Sequence, residues 1–269
     1  MHPEILTGIK HSITQIIKAF NLDLTHKTNP QGRKLKIKNE DALAFALYQH
    51  TSTRATKKSV YDDFRSAIGC SYNRFVVAVN RVAVFAMIIL FRIMRMGKIY
   101  GHIVKYTDAT DIPVCLAKNG GRHKTMKHFA DWGHSGKGWF YGIKMTMTRD
   151  AAGNILALRF SHPGANDRDI FRSVNKDIHG VIVADAGYVS KDLERDMFIE
   201  GMRRILIKPY KTMKKLMTRW QEKLYNSRFQ IEFDFRSLKM FHGLVTSLPR
   251  SINGYIANYL HAILSFVMA

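Results

Sequence analysis

The chain is poor in cysteine and proline and has half as many acidic as basic residues. Its 269 residues include 2 cysteines and 6 prolines. Cys70 and Cys115 stand apart without Cys-x-x-Cys spacing, which argues against a disulfide scaffold and a cysteine-based zinc module. We therefore expect inert thiols in a reducing compartment, which predicts a cytoplasmic protein.

Long apolar runs are also missing. The longest, from Val82 to Phe91, lies between two arginines and is too short to span a bilayer. The first residues, Met1 to Glu4, lack the basic-then-apolar pattern of a signal segment. We therefore expect a protein without a membrane partner.

Acidic residues are scarce relative to basic ones. There are 21 Asp and Glu against 42 Lys and Arg, which gives a formal net charge of +21. The excess is spread along the whole chain rather than concentrated in one tail. A charge of this size predicts a polyanionic partner such as DNA, bound through phosphate contacts that carry no sequence information.

The periodicity of apolar residues changes near residue 97. Before it, helical spacing predicts an all-helical domain over residues 1–96, with a basic segment up to Arg81 that suits a helix-turn-helix-like DNA reader or a solvated helix face. After it, strands and helices alternate, which predicts an α/β domain over residues 97–269. The predicted strands are 102–107, 139–148, 155–161, 181–185 and 203–207, and the predicted helices are 167–178, 190–200, 212–240 and 252–267.

Two of these strands deliver an aspartate to a turn. His102 to Thr107 reads as a short strand that ends at Asp108. A second β-branched run from Val181 leads to Asp185, after which Gly187 relaxes the backbone. Carboxylates at the ends of strands lie at the rim of a sheet, where ligands bind, although aspartate is also a common turn residue.

A polar stripe follows on the predicted long helix. Tyr225, Arg228, Glu232 and Lys239 have offsets of zero, three, seven and fourteen, so they share one helix face beside an apolar stripe. Taken alone, such charges are equally typical of an ordinary solvated helix face with weak ion pairs. Together with the two aspartates, Glu232 completes a set of three acids: Asp108, Asp185 and Glu232.

These three acids suggest a metal-dependent catalytic site. Carboxylate oxygens suit Mg²⁺ or Mn²⁺. Two such ions can stabilise both the attacking and the leaving oxygen of a phosphodiester displacement. The sequence therefore predicts Asp108, Asp185 and Glu232 as catalytic metal ligands, with two ions per site.

The order and spacing of these motifs resemble those of bacterial DDE transposases, most closely the insertion sequence 982 family. The spacing from Tyr225 to Lys239 matches the family signature at every position, and the stretches Trp139 to Lys144, Pro163 to Asp169 and Pro249 to Ser251 add to the match. The resemblance implies a ribonuclease-H-like catalytic core, a mixed sheet flanked by helices, which follows the helical N-terminal domain. It also implies cleavage at the terminal inverted repeats of an element and strand transfer into target DNA, by a polynucleotidyl transferase in the bacterial cytoplasm, associated with the nucleoid.

The resemblance also implies which residues contact DNA. By resemblance, Tyr225, Arg228 and Lys239 are expected to contact phosphates near the scissile bond.

The composition of the glycine-rich loop from Lys118 to Gly138 predicts a mobile loop that orders on DNA through its basic side chains. Those of the loop that we assign to DNA are Arg122, Lys124, Lys127 and Lys137. Because two element ends must be brought together, we expect a homodimer on double-stranded DNA.

Two departures from the family pattern keep other functions open. The family commonly has Ser where this chain has Ala109, and Lys where it has Ala186. One alternative is a catalytically weakened remnant that only binds DNA. Another is a metal-dependent nuclease without strand transfer.

Overall fold

A computed structural model describes residues 3–24, 35–51, 56–136, 138–188, 190–207 and 216–269. By its internal contacts the chain divides into two compact units. One consists of Met1–Arg92 with Ser237–Ala269, and the other of Ile93–Arg236.

The N-terminal region is helical, as its apolar spacing predicts. Its core is aromatic: the Phe45 ring lies 5.6 Å from Phe64 and 5.9 Å from Phe75, and Tyr48 packs edge-on against Phe64. The helices are α1 (Pro3–Phe20), α2 (Asn39–Thr51), α3 (Lys57–Asp63), α4 (Arg65–Ile68), α5 (Tyr72–Arg81) and α6 (Ala83–Tyr100).

Helices α5 and α6 follow each other almost without a break. Within the described residues this run, from Tyr72 to Tyr100, is the one helical segment whose length and composition would allow it to cross a membrane. Phe75, Ile89 and Leu90 of this run are buried, whereas Val77, Met87 and Phe91 are exposed. The run therefore supplies part of the helical core and also presents apolar side chains at the surface.

The second unit is built on a mixed sheet. In the described residues its strands are β1 (Val104–Cys115), β2 (Asp131–Ser135), β3 (Gly138–Asp150), β4 (Ile155–Ser161), β5 (Val181–Ala184) and β6 (Arg204–Ile207). The path runs β2-β3-β1-β5-β6, with β4 also paired to β3. β1, β3 and β4 form an antiparallel meander, whereas β5 lies parallel to β1 and β6 parallel to β5. This topology is that of a ribonuclease-H-like core, and it confirms the predicted fold class.

One strand prediction and one loop prediction need correction. β1 does not end before Asp108 but continues to Cys115, because residues 105–115 pair with the long strand β3. The predicted mobile loop 118–138 contains a 3-10 helix, Ala117–Arg122, and the strand β2, which pairs with the start of β3. Its glycines and charges suggested a loop, but backbone pairing to β3 provides the order that side-chain patterning does not reveal.

Three helices of the second unit begin at side-chain N-caps. Asn166 caps α7 (Asp167–Val174) and Ser190 caps α8 (Lys191–Gly201), each through a side-chain oxygen that accepts a backbone N–H. Thr218 opens α9 (Arg219–Asn226) with a capping box completed by Gln221.

The predicted single helix over residues 212–240 is wrong. Residues 212–215 lie outside the described part of the chain, and the rest forms two helices, α9 and α10 (Phe229–Met240). At the junction the backbone N–H groups of Arg228, Gln230 and Ile231 bond three residues back instead of four. This tightening interrupts the α-helix at Ser227 and Arg228.

The last helix, α11 (Ile252–Met268), belongs to the helical unit. Its buried side chains include Tyr255, Ile263 and Leu264, and it packs against α2 and α5. The division by contacts therefore differs at the C-terminus from the expected boundaries of 1–96 and 97–269. The physical reason is that an apolar C-terminal helix completes the core of the N-terminal helices, an association that local sequence patterns do not encode.

Candidate active site

The sheet register brings the first two predicted acids side by side. Tyr106 on β1 is the partner of Val183 on the parallel strand β5. Asp108 lies two residues beyond Tyr106, and Asp185 lies two residues beyond Val183. Because parallel neighbours advance together, both carboxylates are placed at the end of β5, where the pairing between the two strands stops.

Arg228 joins these aspartates to Glu232. Its guanidinium donates to Asp108 Oδ2 at 3.0 Å and to Glu232 Oε1 at 2.8 Å. It also lies 3.9 Å from Asp185 Oδ1. One cation from the junction of α9 and α10 therefore holds carboxylates from β1, from the end of β5 and from α10.

Two tyrosines fix this arrangement. The Tyr225 hydroxyl donates to Asp185 Oδ1 at 3.4 Å, and the Arg228 guanidinium lies 5.9 Å from the Tyr225 ring centroid. The Tyr106 hydroxyl is 2.7 Å from Ser227 Oγ, which in turn donates to the Leu224 carbonyl. The helix junction that carries Arg228 is thus tied to the central strand of the sheet.

The three acids differ in their exposure to solvent. The Asp108 side chain is 19% exposed, whereas those of Asp185 and Glu232 are 51% and 55% exposed. Burial raises the pKa of Asp108 to about 6, against the opposing effects of the Ala109 N–H and Arg228. The charges of Asp185 and Glu232 raise the pKa of Asp108 further. A cation near Asp108 therefore favours its charged form.

The donor chemistry of this cluster fits a divalent cation. Three carboxylates from separate elements supply hard oxygen ligands, which Mg²⁺ and Mn²⁺ prefer. In the part of the chain that the structure describes, however, no group of three His, Cys, Asp or Glu side chains has the spacing of metal ligands. The acids are oriented toward Arg228 instead, so metal binding requires the guanidinium to give up these contacts.

A cleft of about 250 Å³ lies beside the acids. Asp108 and Asp185 line it, together with Lys144, His134 and Tyr188. Lys144 forms an ion pair with Asp167 at the start of α7. The sequence analysis missed Lys144 and Tyr106 as site residues. The register that sets Lys144 opposite Asp111, three residues beyond Asp108 on β1, requires knowledge of the strand pairing.

The other predicted DNA contacts do not join this cluster. Lys239 lies two turns beyond Glu232 on α10. Arg122, at the end of the first 3-10 helix, is exposed, as are Lys124 and Lys127 between that helix and β2. Lys137 lies outside the described residues.

Comparison with known families identifies the core. The family described as a transposase DDE domain matches residues 97–252, more than half of the chain. The chain belongs to the DDE transposase family. Members of this family generally use divalent metal ions in a nuclease or transposase reaction.

Comparisons with curated proteins and with solved structures carry no further argument. No curated protein matches this transposase. Among solved structures, a pre-cleavage Mos1 transpososome is similar with 12% identity, over 94% of this chain and 82% of that one. Its TM-score of 0.23 is too low for the likeness to bear on fold or mechanism.

Proposed function

We propose that this DDE transposase, of the insertion sequence 982 type, binds the terminal inverted repeats of its element and catalyses metal-dependent cleavage and strand transfer. The observation that supports this is the convergence of Asp108, Asp185 and Glu232 on one guanidinium at the end of β5. A carboxylate whose pKa is raised by burial and influenced by a specific charge partner, in an open cleft, marks a candidate functional site, and Asp108 is such a group.

In this proposal Asp108, Asp185 and Glu232 are the catalytic residues and hold two Mg²⁺ or Mn²⁺ ions. When bound, such ions supply charge stabilisation for the attacking and leaving oxygens. Tyr225 orients the Asp185 carboxylate, and the Tyr106–Ser227 bond keeps the junction of α9 and α10 against β1. Once released from the acids, Arg228 is free to pair with a DNA phosphate through its bidentate donors.

The reaction has two steps. Hydrolysis of one phosphodiester at the element end breaks a P–O bond and leaves a 3′-hydroxyl. That hydroxyl then attacks a phosphorus of target DNA and displaces the 3′-oxygen of the target strand. No side chain needs to form a covalent bond to DNA, since the displaced oxygen departs directly at each step.

The remaining basic residues serve DNA binding in this proposal. Tyr225, Arg228 and Lys239 contact phosphates near the scissile bond, and Arg122, Lys124, Lys127 and Lys137 contact the flanking duplex. Two copies of the chain hold the two element ends, so the active form is a homodimer on DNA. The protein acts in the bacterial cytoplasm at the nucleoid.

One observation favours a second candidate, a remnant that binds DNA without cutting it. Arg228 pairs with all three acids, and the side chains of Ala109 and Ala186 add neither a hydroxyl nor a charge beside them. If Arg228 does not leave the acids on DNA, the site cannot take up ions. A third candidate is a metal-dependent nuclease that hydrolyses the element end but does not join the 3′-hydroxyl to target DNA.

The test is a plasmid assay with the purified protein, a labelled duplex that carries the end of its own element, and Mg²⁺ or Mn²⁺. The proposal predicts metal-dependent nicking at the element boundary and joined products in the target plasmid. Glu232→Gln is expected to abolish both products and Glu222→Gln, an exposed acid on α9, to leave them unchanged. Binding without nicking in either metal would favour the remnant, and nicking without joined products would favour the nuclease.

A further inference from the structure

Part of the helical unit has the order of elements and the turn length of a helix-turn-helix motif. The helical segment α3–α4 ends at Ile68, and three residues, Gly69 to Ser71, separate it from α5. Gly69 has a φ of +59°, the left-handed conformation that glycine adopts readily in such a turn. Ser71 has the extended conformation of an N-cap residue.

Aromatic packing fixes the helices of this motif relative to each other. The Tyr61 ring of α3 lies 5.7 Å from Phe75 and 5.5 Å from Tyr72 on α5. Phe45 of α2 contacts both Phe64 and Phe75. The buried side of α5 is therefore fully committed to the core, and only its opposite side can meet a partner.

The exposed side of α5 carries base-reading side chains in its first two turns. Asn73, Arg74 and Val77 are exposed, and Val77 is 63% exposed although it is apolar. In helix-turn-helix proteins the first residues of the second helix contact base edges in the major groove. Asn suits adenine, Arg suits guanine, and an apolar side chain suits the thymine methyl group.

The surface around these residues complements DNA in charge. Asn73, Arg74 and Val77 line a groove of about 360 Å³ together with Lys36 and Arg81. None of the described residues that line this groove is acidic. Arg81 donates to Asn39 Oδ1 at 3.2 Å and to the Ile37 carbonyl, which holds the segment with Lys36 beside α5. Lys36 is thus placed to contact the phosphate backbone next to the base contacts.

We propose that α5 is the recognition helix of this protein and that Asn73, Arg74 and Val77 read base pairs of duplex DNA, with Lys36 on an adjacent phosphate. The inference rests on the proposed function, because it names the helix that distinguishes the element ends from other DNA. The span from Asn73 to Val77 is about 6 Å along the helix axis, about two base-pair steps.

The test is selection from a pool of duplexes with a randomised central segment, with the full chain in EDTA so that no strand is cut. The wild type is expected to enrich one motif. Arg74→Ala is expected to lose roughly 5- to 150-fold discrimination at one G·C pair, and Asn73→Ala the same at one A·T pair. Lys36→Ala is expected to weaken all sequences evenly and to lower the salt slope by about 1.

Arg65→Ala is the matched control, since Arg65 is an exposed arginine of α4 on the first segment of the motif. The Arg65→Ala variant is expected to enrich the same motif as the wild type and to bind it with lower affinity. The proposal is overturned if Arg74→Ala and Asn73→Ala enrich the wild-type motif with unchanged discrimination, or if the wild type enriches no motif. Element-end cleavage assayed separately keeps the two questions apart: cleavage without α5-dependent selection leaves the transposase function standing, and selection without cleavage leaves α5 standing.

Discussion

At the scale of single residues, Arg228 is the cation on which the acidic site depends. Its side chain is 16% exposed and contacts all three acids. Asp108 is the most buried of them, so it has the most to lose when the positive charge is removed. The side chains of Asp185 and Glu232 are more than half exposed, and water screens much of their attraction to Arg228.

Arg228→Gln is therefore expected to lower the free energy of unfolding by about 1–3 kcal/mol in metal-free buffer. It is also expected to increase the stabilisation by Mg²⁺, since the ion no longer competes with a guanidinium. Thermal unfolding without Mg²⁺ and with about 10 mM Mg²⁺ measures both effects, because an ion that binds only the folded state stabilises it by mass action. Arg219→Gln on α9 is the control, and an equal Mg²⁺ response in both variants would contradict the competition.

Arg203 is a second arginine with an unusual position, 1% exposed beneath α7 and α8. It donates to the carbonyls of Asn175 at 2.9 Å and Lys176 at 2.8 Å, and to Glu200. It therefore satisfies carbonyl groups at the ends of two helices, which would otherwise be buried without a donor.

Arg203→Met keeps the volume of the side chain and removes every donor. We expect a loss of about 3–5 kcal/mol in the free energy of unfolding. Arg204→Met, at the exposed neighbouring position, should change it by no more than about 0.5 kcal/mol. Chemical denaturation of the two variants gives the comparison, and similar midpoints would rule out the assigned role of Arg203.

At the scale of elements, the junction between α9 and α10 is the feature that sets the site. A continuous helix would carry Tyr225 and Glu232 on one straight face. The three-residue hydrogen bonds at the junction turn Arg228 toward the end of β5 instead. The anchor of this junction is the 2.7 Å bond between the Tyr106 hydroxyl and Ser227.

Tyr106→Phe and Ser227→Ala are each expected to cost about 1 kcal/mol of stability and to reduce the rate of element-end cleavage more than DNA binding. The double variant should lose little beyond either single one, because both remove one bond. A double-mutant cycle on the cleavage rate measures this coupling. Additive losses would show that the two side chains act independently of each other.

Several elements were predictable from sequence, and the reasons differ. The strand Ile155–Ser161 and the helix after Ser190 have strong local signals, a short apolar run and an N-cap. The continuation of β1 past Asp108 and the order within residues 118–136 depend on pairing with β3, which is a long-range contact. The break at Ser227 depends on a hydroxyl 121 residues away in the chain. Of the site itself, spacing predicted Asp108, Asp185, Glu232 and Arg228, but the ion pairs among them required the structure.

At the scale of the whole molecule, stability against acid depends on histidines buried in the helical unit. Burial lowers the pKa of His50 to about 4 and that of His261 well below its usual value, and Lys57 and neighbouring histidines lower them further. The pKa of His242 is also lowered by burial. Within the described residues, neither ring nitrogen of His261 has a hydrogen-bond partner.

A buried histidine with a lowered pKa is tolerated in the folded state only while its ring is neutral. Above about pH 6.5 the folded and unfolded states bind the same number of protons. Between about pH 6.5 and pH 4 the unfolded state binds more, so stability falls, by up to about 3 kcal/mol for His50 alone. Thermal unfolding from pH 8 to pH 4 should show this loss.

His261→Leu is expected to reduce the acid sensitivity and to raise stability at neutral pH, because no hydrogen bond is sacrificed. His128→Leu, at an exposed position, serves as the control. An unchanged pH profile in His261→Leu would assign the acid sensitivity to other groups.

In the proposed function Asp108, Asp185 and Glu232 meet at one divalent-metal site. Fe²⁺ can take the place of Mg²⁺ on oxygen ligands and, with ascorbate and peroxide, cut the polypeptide backbone where it binds. On the full chain with its DNA, the account predicts cuts near residues 108, 185 and 232 that excess Mg²⁺ suppresses and Glu232→Gln weakens. Cuts elsewhere, or cuts at these positions that Mg²⁺ leaves unchanged, would contradict it.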